Sequence, residues 1–383
     1  MNFVLITIFL VVLILLILLV WVLLRYSHRV QYGKLKRYSH NPILQPRGDE
    51  GWESRAVFNT AALYTGGRIH LVYRALGPDG VSRLGYASSR DGLHFDERLD
   101  KPIYEHKKSH THVPENLEFR NPFAMSGEKY EHYDTLHNAS GGGWSGSEDP
   151  RMVELDNKVY LTYNYLDNWQ SMEVFLSTIN NHDFLNKNWQ WSKSLFLSPQ
   201  GGRHKNWAMF PEKINGHYAI LHSIYGADPS QVRILYHDEA GLARGLHEID
   251  SPDPQKLPNK QIAWHERVRS AGPPPLKTKH GWLVLYHAMA PKEMHRYKIG
   301  AMLLDLNDPS KIIARSREPI LEPDMWYEND WKPGIVYSCG AIIKDDELYV
   351  YYGGGDKTIN LARTKLEPLL LDILKGKSTH VRS

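Results

Sequence analysis

The chain has 383 residues, 42% hydrophobic and 11% aromatic, with a formal net charge of +3 at pH 7. That balance is too slight to hold nucleic acid, which a strongly basic face would announce. The single cysteine, Cys339, excludes an internal disulfide and a cysteine-rich zinc site.

From the N-terminus, residues 3–24 are apolar apart from Thr7. At about 1.5 Å per residue, such a helix reaches across the roughly 30 Å hydrocarbon core, so the sequence predicts a transmembrane anchor over residues 1–24. A cleaved signal peptide would carry basic residues ahead of a shorter apolar run, and none precede this one. Arg25, Arg29, Lys34, Lys36 and Arg37 follow it instead, in a basic linker over residues 25–40. The positive-inside rule then expects a single-pass membrane protein with its C-terminal domain in the cytoplasm.

Next comes a phrase repeated five times: Arg68-Ile-His-Leu-Val-Tyr-Arg-Ala75, Lys158-Val-Tyr-Leu-Thr-Tyr-Asn-Tyr165, His217-Tyr-Ala-Ile-Leu-His-Ser-Ile224, Gly281-Trp-Leu-Val-Leu-Tyr-His-Ala288 and Glu347-Leu-Tyr-Val-Tyr-Tyr-Gly-Gly354. Turn signals such as Gly66-Gly67, Asp156-Asn157 and Asn215-Gly216 precede the copies, supplying the positive φ of tight hairpins. A further strand-like run follows each copy. Every unit therefore reads as an antiparallel meander, and meanders set radially about an axis bury one another's faces. The expected fold is all-β, a five-bladed β-propeller over residues 41–375, preceded by one N-terminal transmembrane helix and followed by a tail over 376–383. The apolar segment 366–374 is a candidate for closing the ring or for association as a homo-oligomer.

Many of the eleven Trp and twenty-two Tyr stand beside loops, Trp144, Trp207, Trp264 and Trp326 among them. Flat aromatic faces with polar neighbours suit sugar rings. In a propeller, the starts of the innermost strands gather at one mouth. Those segments read Asn59-Thr-Ala-Ala62, Glu148-Asp-Pro-Arg151, Lys205-Asn-Trp-Ala-Met-Phe-Pro-Glu-Lys213, Gly272-Pro-Pro-Pro-Leu-Lys-Thr278 and Tyr337-Ser-Cys-Gly340. Together with Val72-Tyr-Arg-Ala75, Ser82-Arg-Leu-Gly-Tyr-Ala87, Gly300-Ala-Met-Leu-Leu-Asp-Leu306 and Tyr352-Gly-Gly-Gly-Asp356, they resemble glycoside hydrolase family 130, the β-mannoside phosphorylases and related β-mannosidases. The resemblance runs from about residue 41 to 363.

That resemblance implies Asp149 as general acid, protonating the leaving glycosidic oxygen through a sugar hydroxyl. It implies Arg74 and Lys277 as phosphate ligands, with Arg203 and Lys205 in a stretch where further ones occur. Asn59, Arg83, His287, Tyr297, Tyr337 and Asp356 match sugar-binding positions. The implied reaction is inverting phosphorolysis of a β-mannoside oligosaccharide or glycoconjugate to mannose 1-phosphate. Inorganic phosphate is then a co-substrate, with no metal or organic cofactor. One departure stands out: Leu221-His-Ser223 lacks an arginine common in phosphorylases. Hydrolysis by an inverting β-mannosidase therefore stays open, with Glu212 or Asp356 as base, as does a non-catalytic carbohydrate-binding propeller, against which Asp149 argues. The long segment 105–147 flanks the acid and is expected to shape substrate choice. Its histidines, His106, His110, His112 and His132, lack the compact spacing of a metal site.

Overall fold

Successive side chains of a strand point to opposite faces, and in the second strand of each repeat both faces are apolar. In Arg68–Leu76, for example, Leu71, Tyr73 and Ala75 enter one buried cluster while Val72 enters another. A sheet apolar on both sides has to lie between two others, and a closed ring provides this for every sheet. The structure, a computed structural model, describes residues 12–18, 33–48, 50–106, 129–130, 133–134, 139–167, 171–200, 204–224, 232–244 and 264–375.

Five meanders form. Blade 1 is Ala56–Thr65, Arg68–Leu76 and Val81–Ser89; blade 2 is Ser145–Leu155, Lys158–Asp167 and Ser171–Asn180; blade 3 is Ala208–Met209, Tyr218–Ile224 and Val232–His237. Blade 4 has a split inner strand, Arg267–Ala271 and Leu276–Thr278, then Gly281–Met289, Lys298–Leu304 and Ile312–Arg315. Blade 5 is Val336–Lys344, Glu347–Gly354 and Thr358–Lys365. Buried apolar clusters join blade 1 to 2, 2 to 3, 3 to 4, 4 to 5 and 5 back to 1. The ring is closed, as the repeats predict.

The two chain ends of the ring meet at blade 5. Lys36–Arg37, within the stretch read as linker, pairs antiparallel with Arg363 and Ala362 as an added outer strand. The apolar segment after blade 5 is a helix, Leu366–Lys375, which buries Leu369, Leu370 and Ile373 in the cluster between blades 4 and 5. Each such side chain contributes about 1.5–3 kcal/mol.

The expected membrane anchor is not found. Of residues 1–24 the structure describes 12–18, which are helical. The rest of that stretch lies outside the described residues, and among those described no helix is long and apolar enough to cross a membrane. The single-pass assignment and the cytoplasmic orientation built on it fall with the anchor.

A second difference concerns the mouth. The segments read as preceding the first strands lie largely inside them, at β-bulges. Register shifts occur between Phe58 and Ala61, Glu148 and Arg151, Val268 and Ser270, and Ser338 and Gly340. A bulge adds a residue to one strand and re-aims its side chain. Asn59 and Asp149 sit there at φ 46° and 49°, and Asn206 has φ 67° just before blade 3. Asn and Asp tolerate this left-handed region better than other side chains. The same crowding makes Gly340 irreplaceable, because a Cβ there would stand 2.6 Å from the Thr60 carbonyl of blade 1. Gly340→Ala is expected to cost about 1–3 kcal/mol, read as a lower urea midpoint.

Candidate active site

The Glu148–Asp149 bulge carries two adjacent carboxylates into the centre of the ring, and their surroundings separate them. Glu148, 2% exposed, takes a 2.8 Å ion pair from Arg74 Nη2, while Ser140 Oγ lies 2.8 and 2.7 Å from its two oxygens. Burial raises its pKa despite Arg74, which acts in the opposite sense. Asp149 instead accepts a 2.8 Å hydrogen bond from Asn59 Nδ2 and lies 3.6 Å from Arg74 Nη1. Ser140 belongs to the returning end of the long 105–147 segment. That end is fastened to blade 1, where Arg74 also donates to the Ser140 carbonyl and to Ser82 Oγ. Most of the segment, with His110, His112 and His132, lies outside the described residues. Among those described, no cluster of metal-ligating side chains occurs.

Basic side chains gather around Asp149 and Asp356 from three further places in the ring. Lys205 precedes blade 3; burial first, then Arg269, lowers its ammonium pKa, while Asp149 and Glu148 oppose this. Arg269 occupies the blade 4 bulge, with its guanidinium 6.0 Å from the Tyr297 ring centroid. Lys332, from the connection between blades 4 and 5, pairs with Asp356 Oδ2 at 3.1 Å and lies 5.7 Å from the same ring. Burial would raise the Tyr297 phenol, but Arg269 and Lys332 outweigh it and hold the pKa below its ordinary value. Among the described residues, neither Lys205 nor Arg269 is in an ion pair. Among the described residues, three buried polar atoms here also have no protein hydrogen-bond partner: Asn59 Oδ1, Ser147 Oγ and Asn206 Nδ2.

Behind this surface, Tyr337 stacks on His287 at 3.9 Å and 10°. His287 Nε2 accepts the Ser338 N–H at 2.8 Å, so Nδ1 carries the proton toward Ser270 Oγ at 3.0 Å. Burial, with Arg151 and Arg269, keeps this imidazole neutral, well below its usual pKa. His287 therefore supports Tyr337 from behind. Arg151, 1% exposed, donates to the carbonyls of Asp149, Ala271 and Gly272, bracing blade 2 against blade 4.

The sequence-predicted residues thus divide. Asn59, Arg74, Asp149, Lys205, Tyr297, Tyr337 and Asp356 converge, with His287 beneath them. Lys277 does not: it lies by the hairpin end of blade 4, exposed, with Nζ 2.6 Å from Glu212 Oε1. Its strand partner Trp282 and His287, which pairs near Arg269, are about 17 Å apart at the ordinary strand rise. Arg83 is at the rim, held by Asp79 at 2.7 Å and Glu105 at 3.4 Å. Arg203 lies outside the described residues. Arg269 and Lys332 were missed by the sequence reading. Arg269 precedes the Gly-Pro-Pro-Pro run, where the inner strand was expected to start later, and Lys332 sits in a connection with no motif.

Residues 124–376 match the sequence model of glycoside hydrolase family 130, described as beta-1,4-mannooligosaccharide phosphorylase. Two relatives from Thermoanaerobacter sp. strain X514 are a 1,2-beta-oligomannan phosphorylase and a beta-1,2-mannobiose phosphorylase. The first is 37% identical over 88% of this chain and 99% of its own, the second 33% over 86% and 96%. The fold is shared with the beta-1,2-mannobiose phosphorylase of Listeria innocua, whose structure in complex with beta-1,2-mannobiose superposes with a TM-score of 0.61 at 22% identity, covering 88% of this chain and 99% of that one. A match over most of the ring, with relatives aligned along nearly their whole length, makes this chain a member of glycoside hydrolase family 130.

Proposed function

We propose that the protein breaks β-mannosidic bonds by phosphorolysis with inversion, and that β-1,2-linked mannooligosaccharides are its substrates. The linkage follows the two Thermoanaerobacter relatives named above, which are 37% and 33% identical to this chain. The observation that carries phosphorolysis over hydrolysis is the pair of cations, Lys205 and Arg269, that face Asp149 without a carboxylate of their own. Such a pair suits an oxyanion that is already nucleophilic. An inverting hydrolase needs a second carboxylate to deprotonate water. Both sequence candidates for that base are engaged, Glu212 with Lys277 at 2.6 Å and Asp356 with Lys332 at 3.1 Å.

In this reading, Lys205, Arg269 and Lys332 hold inorganic phosphate, and Arg74 adds charge from behind. A phosphate oxygen attacks the anomeric carbon as its bond to the leaving sugar oxygen breaks. Asp149 supplies the proton that this oxygen needs, relayed by a sugar hydroxyl as the family resemblance implies. The products are mannose 1-phosphate and an oligosaccharide shorter by one sugar. Asn59 orients Asp149, while Asp356, Tyr297 and Tyr337 line the mannosyl position. Lys277 and Arg83 have no part in this assignment.

The test incubates the full chain with β-1,2- and β-1,4-mannobiose, in phosphate and in a phosphate-free buffer, and quantifies mannose and mannose 1-phosphate separately. Mannose 1-phosphate formed only with phosphate, and faster from the β-1,2 disaccharide, is expected. Free mannose released equally in both buffers would make the enzyme a hydrolase.

A further inference from the structure

The connection that brings Lys332 into the site is anchored on a buried carboxylate that the reaction does not use. Glu328 is 0% exposed and both its oxygens are filled. Oε1 accepts from Arg37 Nε at 2.7 Å and from the Tyr352 hydroxyl at 2.8 Å. Oε2 accepts from Arg37 Nη2 at 2.9 Å and from the backbone N–H groups of Asp324 and Met325 at 2.7 and 2.9 Å. Arg37 also donates to the Glu322 carbonyl. Its guanidinium makes the close ion pair with Glu328 and comes from the N-terminal strand, which lies outside the five repeats.

From Glu328 the chain runs directly to the site. The Glu328 carbonyl accepts from Ile335 N–H at 3.1 Å, closing the connection at its base. Within it, Lys332 N–H donates to the Gly355 carbonyl at 2.8 Å, and Gly355 N–H to the Ile335 carbonyl at 3.1 Å. Gly355 immediately precedes Asp356, the ion-pair partner of Lys332. The backbone that positions Lys332 and Asp356 is thus tied on one side to their own turn and on the other to Arg37. Losing Arg37 would leave a buried carboxylate without its counter-charge, a penalty large enough to move the segment around it.

We infer that Arg37 and Glu328 are positioning residues, through which docking of the N-terminal strand sets the phosphate-facing side of the site. The link to phosphate rests on the phosphorolytic reading; the link to the loop does not. Three full-length variants separate these. Arg37→Met removes the charge, Arg37→Lys restores it without the fork, and Ile179→Ala removes core volume between blades 1 and 2, far from the loop. Inorganic phosphate is titrated calorimetrically into each, and deuterium exchange is followed in peptides spanning residues 328–356.

Arg37→Met is expected to weaken phosphate binding roughly tenfold, within the usual range of coupling between sites. It should also speed exchange in the loop, and Arg37→Lys should recover part of both effects. Ile179→Ala should lower the melting temperature yet leave phosphate affinity and loop exchange as in the parent. Parent-like loop exchange in Arg37→Met, or the same changes in Ile179→Ala, would overturn the inference. Failure of the parent itself to bind phosphate would instead count against phosphorolysis, and the exchange data would still decide the coupling.

Discussion

Asp149→Asn is expected to lower kcat on β-mannobiose by about 10²–10⁴, the usual contribution of a positioned general acid. The substitution keeps the side chain's shape while removing the carboxylate that faces Arg74 at 3.6 Å. Asparagine tolerates the φ of 49° at this bulge, and its side-chain oxygen still accepts the 2.8 Å hydrogen bond from Asn59 Nδ2. What disappears is the transferable proton. A mannoside whose leaving group is already a good one, such as a dinitrophenyl β-mannoside, does not need that proton. The loss on it should be small, and phosphate affinity should change little. An equal loss on both substrates would mean that Asp149 orients the sugar without protonating it.

How much of this was legible from the chain depended on which rule governed each residue. The strands followed from alternation and turn chemistry, both local, so Arg68–Leu76 and its four counterparts were readable directly. Asp149 was singled out by the family resemblance that Glu148-Asp-Pro-Arg151 carries, and the structure places its carboxylate beside Arg74 and Asn59. Arg269 was not, because only a bulge inside a split inner strand directs it inward, and sequence alternation carries no mark of an extra residue. Lys277 was misplaced by the same error in reverse. Counting the blade 4 strand from Leu276 put its mouth where its hairpin is. The apolar N-terminus was read from hydropathy alone, and among the described residues no helix is long and apolar enough to cross a membrane.

The same geometry answers the missing arginine at Ser223. Charge at the phosphate position does not have to come from a fixed place in the ring, because the axis is equally near to every blade. In the phosphorolytic reading proposed above, Lys205 before blade 3, Arg269 on blade 4 and Lys332 before blade 5 would supply it from three directions. A sequence comparison made one motif at a time registers the loss and not the replacement.

Arg151→Met should be the most damaging substitution to the fold itself, lowering stability by about 3–5 kcal/mol. Its guanidinium is 1% exposed, and among the described residues no ion pair holds it. It is kept there by three carbonyls: Gly272 at 2.7 Å, Asp149 at 2.9 Å and Ala271 at 3.1 Å. Methionine fills much of the volume but leaves all three acceptors buried and unpaired, each costing about 1–3 kcal/mol before relaxation. Lysine has one ammonium where the fork reached three oxygens, so it should recover only part of the loss. Against a typical total of about 5–15 kcal/mol, this is enough to move the urea midpoint substantially. One of the three acceptors is the carbonyl of the proposed acid, so the folded fraction of Arg151→Met should also turn over more slowly. A variant with an unchanged urea midpoint would show that blades 2 and 4 hold together across the axis without this brace. Slow turnover in such a variant would then place the role of Arg151 in orienting Asp149 alone.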